Sequence, residues 1–194
     1  FALSQWFFWD DTVWKPGAEA NLQELAEETV RSFPGEASEL MDSQSRETFL
    51  KWAIRSGNRS RMIAMIEQST HRLRLGSSKL DHDPMLLNLF ADSINLSTGT
   101  VKSSVASDYA TKQTPIVFDP DATCPVWRRF LLKVIDDSEE LIRYLQKAVG
   151  YSLTGKNTKQ CFFIAHGTGA NGKSVFLNLI RGLAGDYGIN IPMD

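Results

Sequence analysis

The sequence predicts an α+β N-terminal domain, mostly helical with a β-hairpin, followed by the opening segment of an α/β domain: helices, a first strand, a glycine-rich loop and a helix. Three observations carry this prediction. Aromatic residues alternate on both sides of a polar tripeptide, Asp10-Asp11-Thr12. Apolar residues then recur at helical spacing in three stretches between residues 18 and 74. Further on, a short apolar run, a glycine-rich octapeptide and another helical stripe follow one another in that order.

Taken in order, Gln5-Trp6-Phe7-Phe8-Trp9 and Val13-Trp14-Lys15 read as a hairpin closed by the polar turn. Its tryptophans suit a small core better than a base-stacking platform. Residues 18–33 place Leu22, Leu25, Ala26 and Val30 on one face of a helix, which Pro34-Gly35 should stop. Residues 36–55 read as helix with a break near Ser43, and residues 60–74 as a third helix. Leu86-Leu87-Asn88-Leu89, Ile94-Asn95-Leu96 and Ile116-Val117-Phe118 are strand candidates. Asp81-His82-Asp83 is better explained as a loop before Pro84 than as a metal cluster.

Residues 126–135 turn Trp127, Phe130, Leu131 and Val134 to one helical face. The run from Phe130 into Asp136-Asp137 superficially resembles a strand ending in a catalytic acid. Lys133 interrupts it and its spacing is helical, so that assignment is rejected. Asp136, with Glu139 three residues on, fits the N-cap of the next helix, which should end at Gly150.

Composition sets the bounds. The 194 residues are 42% hydrophobic and 23% charged, with a formal net charge of −2. This is ordinary for a soluble globular chain and offers no overall attraction to a polyanion. No run approaches the ~20 apolar residues of a membrane span, so no membrane partner is expected. The start, Phe1-Ala2-Leu3-Ser4, has no basic segment of a secretory signal and no Met, so a piece of a longer protein is expected. Cys124 and Cys161 are far apart and belong to no C-x-x-C pair. Reduced thiols in a cytoplasmic setting follow, with Cys161 expected inside a buried strand.

Local charge is more informative. From Asp10 to Glu47, ten acidic side chains face three basic ones, a balance of −7. From Lys51 to Lys79, seven basic side chains face Glu67 alone, a balance of +6. Neighbouring helices pairing with each other would account for both. The alternative is a nucleic-acid surface built from Arg55, Arg59, Arg61, Arg72 and Arg74.

Gly167-Thr168-Gly169-Ala170-Asn171-Gly172-Lys173-Ser174 fits G-x-x-x-x-G-K-[ST] at every fixed position. Cys161-Phe162-Phe163-Ile164-Ala165 before it reads as a strand buried on both faces. Val175, Leu179, Ile180 and Leu183 after it recur at helical spacing. Glycines let backbone N–H groups converge on phosphate oxygens without a Cβ in the way. A helix starting at about Gly172 aims its positive end at the same point. Lys173 would reach the β- and γ-phosphates as the catalytic cation, and the Ser174 hydroxyl would ligate Mg²⁺.

An ordered set of short motifs carries a resemblance. Leu86-Leu87-Asn88 is followed by Ile94-Asn95-Leu96-Ser97-Thr98-Gly99, then Val117-Phe118-Asp119-Pro120 with Cys124-Pro125. Gly150-Tyr151-Ser152-Leu153-Thr154-Gly155, the octapeptide and Gly185-Asp186-Tyr187 complete the set. The chain resembles the phage/plasmid primase family, which shares its domain with the poxvirus primase-helicase. These are superfamily 3 helicases of the AAA+ class. The likeness is loose before residue 80 and close after it. Phe90-Ala91-Asp92-Ser93 departs from it, since the family usually has Asn-Gly shortly before the strand ending in Ser-Thr-Gly.

The resemblance implies a family-specific α+β domain over 1–122, and over 123–194 the opening helices, first strand, loop and helix of an α/β AAA+ domain. It implies ATP and Mg²⁺ as ligands and a bacterial cytoplasmic setting with phage or plasmid origin. It also implies a hexameric ring of the full-length protein that couples ATP hydrolysis to unwinding single-stranded or replication-fork DNA. The second catalytic acid, the sensor residue and the arginine finger are expected beyond Asp194. The other readings are a different phosphate-loop enzyme, such as a small-molecule kinase, or a non-catalytic docking module with a vestigial loop. About 160 residues precede the loop, which argues against a kinase, and intact Lys173 and Ser174 argue against a vestige.

Overall fold

The computed structural model describes residues 5–191. The chain divides into two compact units. Among the described residues, one holds 5–8 and Pro16–Ser77; the other holds Trp9–Lys15 and 78–191. Positions 122 and 123, the boundary expected from sequence, both fall inside the second unit.

The hairpin forms as predicted, with β1 over Trp6–Trp9 and β2 over Trp14–Gly17. Its turn is made by Asp10, whose Oδ1 accepts from the Thr12 and Val13 N–H groups at 3.0 and 2.8 Å and from the Thr12 hydroxyl at 2.8 Å. Lys15 pairs with the other carboxylate oxygen. Trp6, Trp9 and Trp14 are all half-buried.

The first unit holds three helices: α1 (Glu19–Ser38), α2 (Ser43–Ser56) and α3 (Arg59–Arg72). The stop expected at Pro34-Gly35 does not occur, and α1 continues for another turn. Proline removes one N–H donor and so withdraws the partner of the Val30 carbonyl. Burial beyond it keeps the helix going. Ala37 is 1% exposed. Phe33, just before the proline, packs with Trp52 and Phe49 at ring distances of 4.9 and 6.3 Å. Asp42 starts α2 by accepting from the Ser45 N–H at 2.7 Å, which places the break where the sequence suggested.

The second unit holds a three-stranded antiparallel sheet of β3 (Leu86–Asn88), β4 (Asp92–Asn95) and β5 (Val101–Ser103), in that order. Leu87 faces Ile94 and Asn88 faces Ser93 across β3 and β4. The predicted strand at Ile116–Phe118 is not formed. The segment runs beside β3 through two backbone bonds, from the Thr114 N–H to the Asn88 carbonyl (2.9 Å) and from the Phe90 N–H to the Ile116 carbonyl (3.0 Å). Pro115 between them has no N–H to extend the ladder.

Two helices follow, α4 (Pro125–Val134) and α5 (Glu139–Ser152). The run rejected as an acid-bearing strand is indeed helical. The N-cap of α5 is Ser138, which accepts from the Leu141 N–H at 3.3 Å, and not Asp136 as expected. Asp136 and Asp137 instead take left-handed conformations, φ 55° and 57°, and turn the chain between the helices. Gly150 does not end α5; it lies within its last turn. The chain then runs to α6 (Lys173–Ala184) and a 3-10 turn at Gly185–Tyr187. No described helix is long and apolar enough to cross a membrane.

Candidate phosphate-loop site

The stretch before the loop differs most from expectation. Cys161–Ala165 is not a strand, and Cys161 is exposed. Phe162 and Ile164 are 82% and 77% exposed, while Phe163 meets Tyr144 edge-on at 6.4 Å. A strand buried on both faces needs partners along both edges. None of the described strands lies beside these residues.

The loop itself is well defined. The backbone turns through positive φ at Gly167 (154°), Ala170 (57°) and Gly172 (82°). Gly172 is the N-cap of α6 and supplies no side chain to its first N–H groups. Those donors have no side-chain cap, the arrangement that suits a phosphate. A Cβ on Gly172 would lie 2.7 Å from Val134 Cγ1 and about as close to the Phe130 ring. Thus α4 braces the loop where it enters α6. One turn later, Trp127 stacks on Phe176 at 5.7 Å. A Cβ on Gly169 would meet nothing within 4 Å.

Lys173 begins α6 and folds back over the loop. Its ammonium donates to the carbonyls of Gly167 (2.9 Å) and Thr168 (3.2 Å) and to Asn171 Oδ1 (2.7 Å). Ser174 is exposed one residue further on. The donors fit a polyphosphate: one cation, a helix N-terminus without a side-chain cap and a hydroxyl adjacent to the cation. Residues 167–174 would hold such a group, with Ser174 positioned in sequence to meet its metal.

The five arginines lie in the other unit. Arg55, Arg59, Arg61, Arg72 and Arg74 are all exposed. Among the described residues, no carboxylate lies within ion-pair distance of any of them; the pairs formed on these helices are Arg31 with Glu27 and Lys51 with Glu47, each within one helix. The cross-helix pairing that would have absorbed the two charge blocks is therefore not formed among these arginines.

Sequence reasoning missed a buried polar centre. Asn88 is 1% exposed. Its amide donates to the Thr12 and Lys112 carbonyls, both at 3.2 Å, and its Oδ1 accepts from the hydroxyls of Ser93 (3.0 Å) and Ser104 (2.8 Å). The Tyr187 hydroxyl accepts from the Asn88 N–H and donates to the Lys112 carbonyl, both at 3.2 Å. Burial holds the Tyr187 phenol above its ordinary pKa, so it remains a donor. Asp186 accepts from the Gln113 N–H at 3.1 Å. These contacts tie the C-terminal end of α6 to the sheet and give a structural role to Asn88, Asp186 and Tyr187. The available signal was a polar residue at an inward position of an apolar strand.

Asp81 and Asp83 are likewise accounted for by the loop around them. Asp81 accepts from the Thr111 N–H at 2.7 Å, and Asp83 from the Met85 N–H at 2.9 Å.

Against known proteins, residues 2–136 match the family model described as D5 N terminal like. That span is more than half of the chain. No curated protein matches.

Proposed function

Because the chain belongs to the D5 N terminal like family, the N-terminal region of primase-helicase-type replication proteins, we propose that it serves a replicative DNA helicase which binds ATP–Mg²⁺ at residues 167–174. One observation supports the nucleotide reading above the rest. Lys173, the uncapped start of α6 and three positive-φ residues lie in one continuous loop. Lys173 supplies the cation for the β- and γ-phosphates, and Ser174 supplies the hydroxyl for Mg²⁺. The bound nucleotide brings the free energy of phosphoanhydride hydrolysis. In a hexameric ring that energy drives movement along single-stranded or fork DNA, and the exposed arginines of α2 and α3 offer phosphate contacts.

The test is ATP turnover by the protein expressed from its whole reading frame, with and without single-stranded DNA. Lys173→Ala should cut turnover by about 10²–10³-fold, the loss usual for a preorganised catalytic donor. Turnover that DNA does not stimulate would favour a different phosphate-loop enzyme. No turnover by the unaltered protein would favour a docking module.

A further inference from the structure

An ammonium has three N–H donors and no acceptor. At Lys173 all three are used inside the loop, on two backbone carbonyls and on Asn171 Oδ1, with the Asn171 contact the shortest at 2.7 Å. Chemistry fixes the amide's orientation, because only its oxygen can accept from a lysine. The other edge of the same amide lies over the loop's first residue. A Cβ on Gly167 would stand 2.2 Å from Asn171 Nδ2. One side chain therefore spans the loop from its entry to the cation at its exit.

We propose that Asn171 is a clasp that holds Lys173 down on the empty loop, so that polyphosphate binds by exchanging its oxygens for the clasp's acceptors. The proposal rests on reading residues 167–174 as a nucleotide site. Its logic is a competition between acceptors. An ammonium bonds an anionic phosphate oxygen more strongly than a neutral carbonyl or amide oxygen, because the attraction of opposite charges adds to the hydrogen bond. A polyphosphate that meets both the ammonium and the uncapped start of α6 gains more than the neutral clasp loses. Without it, the ammonium has no donor left over for a passing anion. Asn171 is thus a positioning residue, acting through Lys173.

The experiment measures acylation of individual lysines in the folded chain by an amine-reactive ester, read by mass spectrometry. Lys147, exposed on α5, is the internal reference. In the free protein Lys173 should react more slowly than Lys147. Asn171→Ala should raise the Lys173 rate by about tenfold, the equivalent of one hydrogen bond to a charged group. Asn171→Asp, which sets a carboxylate on the ammonium, should keep the rate low and also weaken binding of pyrophosphate, the probe ligand. Equal labelling of Lys173 in unaltered and Asn171→Ala protein would overturn the clasp, even if ATP protects Lys173 and so upholds the nucleotide reading. Labelling that follows Asn171, with no protection by ATP or pyrophosphate, would overturn the nucleotide reading and the exchange while upholding the contact itself.

Discussion

Replacing Asn88 by alanine removes the centre of the polar network that joins the hairpin turn, the sheet and the turn after α6. Four side-chain hydrogen bonds are lost, to Thr12, Lys112, Ser93 and Ser104. Each neutral bond contributes about 0.5–1.5 kcal/mol net, giving a span of roughly 2–6 kcal/mol. Part is recovered, because the Ser93 and Ser104 hydroxyls already lie 3.3 Å apart and can bond each other. Part is not: water has little access to a site that is 1% exposed, so the Thr12 carbonyl loses its partner and the Lys112 carbonyl keeps only the Tyr187 hydroxyl. A loss of about 3 kcal/mol follows, which for a chain of this size lowers the melting temperature by roughly 10 °C. Thermal unfolding of the whole chain by circular dichroism measures it, with tryptophan fluorescence reporting on Trp9 and Trp14 beside the turn. Asn88→Asp should be worse at neutral pH, since one carboxylate oxygen would then face the Thr12 and Lys112 carbonyls with no proton between them. A loss below about 1 kcal/mol for the alanine variant would refute the reasoning, because a truly buried and satisfied centre cannot be removed so lightly.

Two further outcomes follow from charge. Arg59→Ala with Arg61→Ala should weaken single-stranded DNA binding across all sequences and flatten its salt dependence by about 0.7 per lost phosphate contact; fluorescence anisotropy over a salt series reads both, and an unchanged slope would remove α3 from the interface. Burial raises the Asp10 pKa, but the bonds from Lys15, Thr12 and Val13 together outweigh it and hold the carboxyl well below its ordinary 3.8. Its stabilisation is therefore complete above that ordinary value and lost as pH falls below it, so Asp10→Asn should flatten the acid limb of the tryptophan unfolding curve.

The elements that proved legible were those whose signal is local. Helical periodicity located α1 to α5 because each carries its own apolar stripe. The end of α1 was misplaced because Pro34 is a local stop signal, while the burial of Ala37 that overrides it is tertiary. The strand β5 escaped notice because Val101-Lys102-Ser103 has one apolar residue and pairs only by virtue of β4. Ile116–Phe118 had strand composition, yet Pro115 removed the donor that would have extended its contact with β3. The Asn88 centre was hidden for a related reason: its partner Tyr187 is 99 residues away.

The loop was legible as a motif, but what holds its shape was not. The sequence reads the apolar run 161–165, just before the loop, as a strand buried on both faces. That run requires neighbours on both edges, and the described residues place none there, so Phe162 and Ile164 remain in solvent. Support comes from two other sources. Phe130 and Val134 of α4 close on Gly172 from outside, and Trp127 stacks on Phe176 one turn into α6. Inside, Asn171 and Lys173 tie the loop to itself. The first device joins residues far apart in sequence, and the second is local. The loop takes this conformation while no described strand pairs with the run before it. Any sheet that came to cover 161–165 would bury the exposed aromatics without having to build the loop.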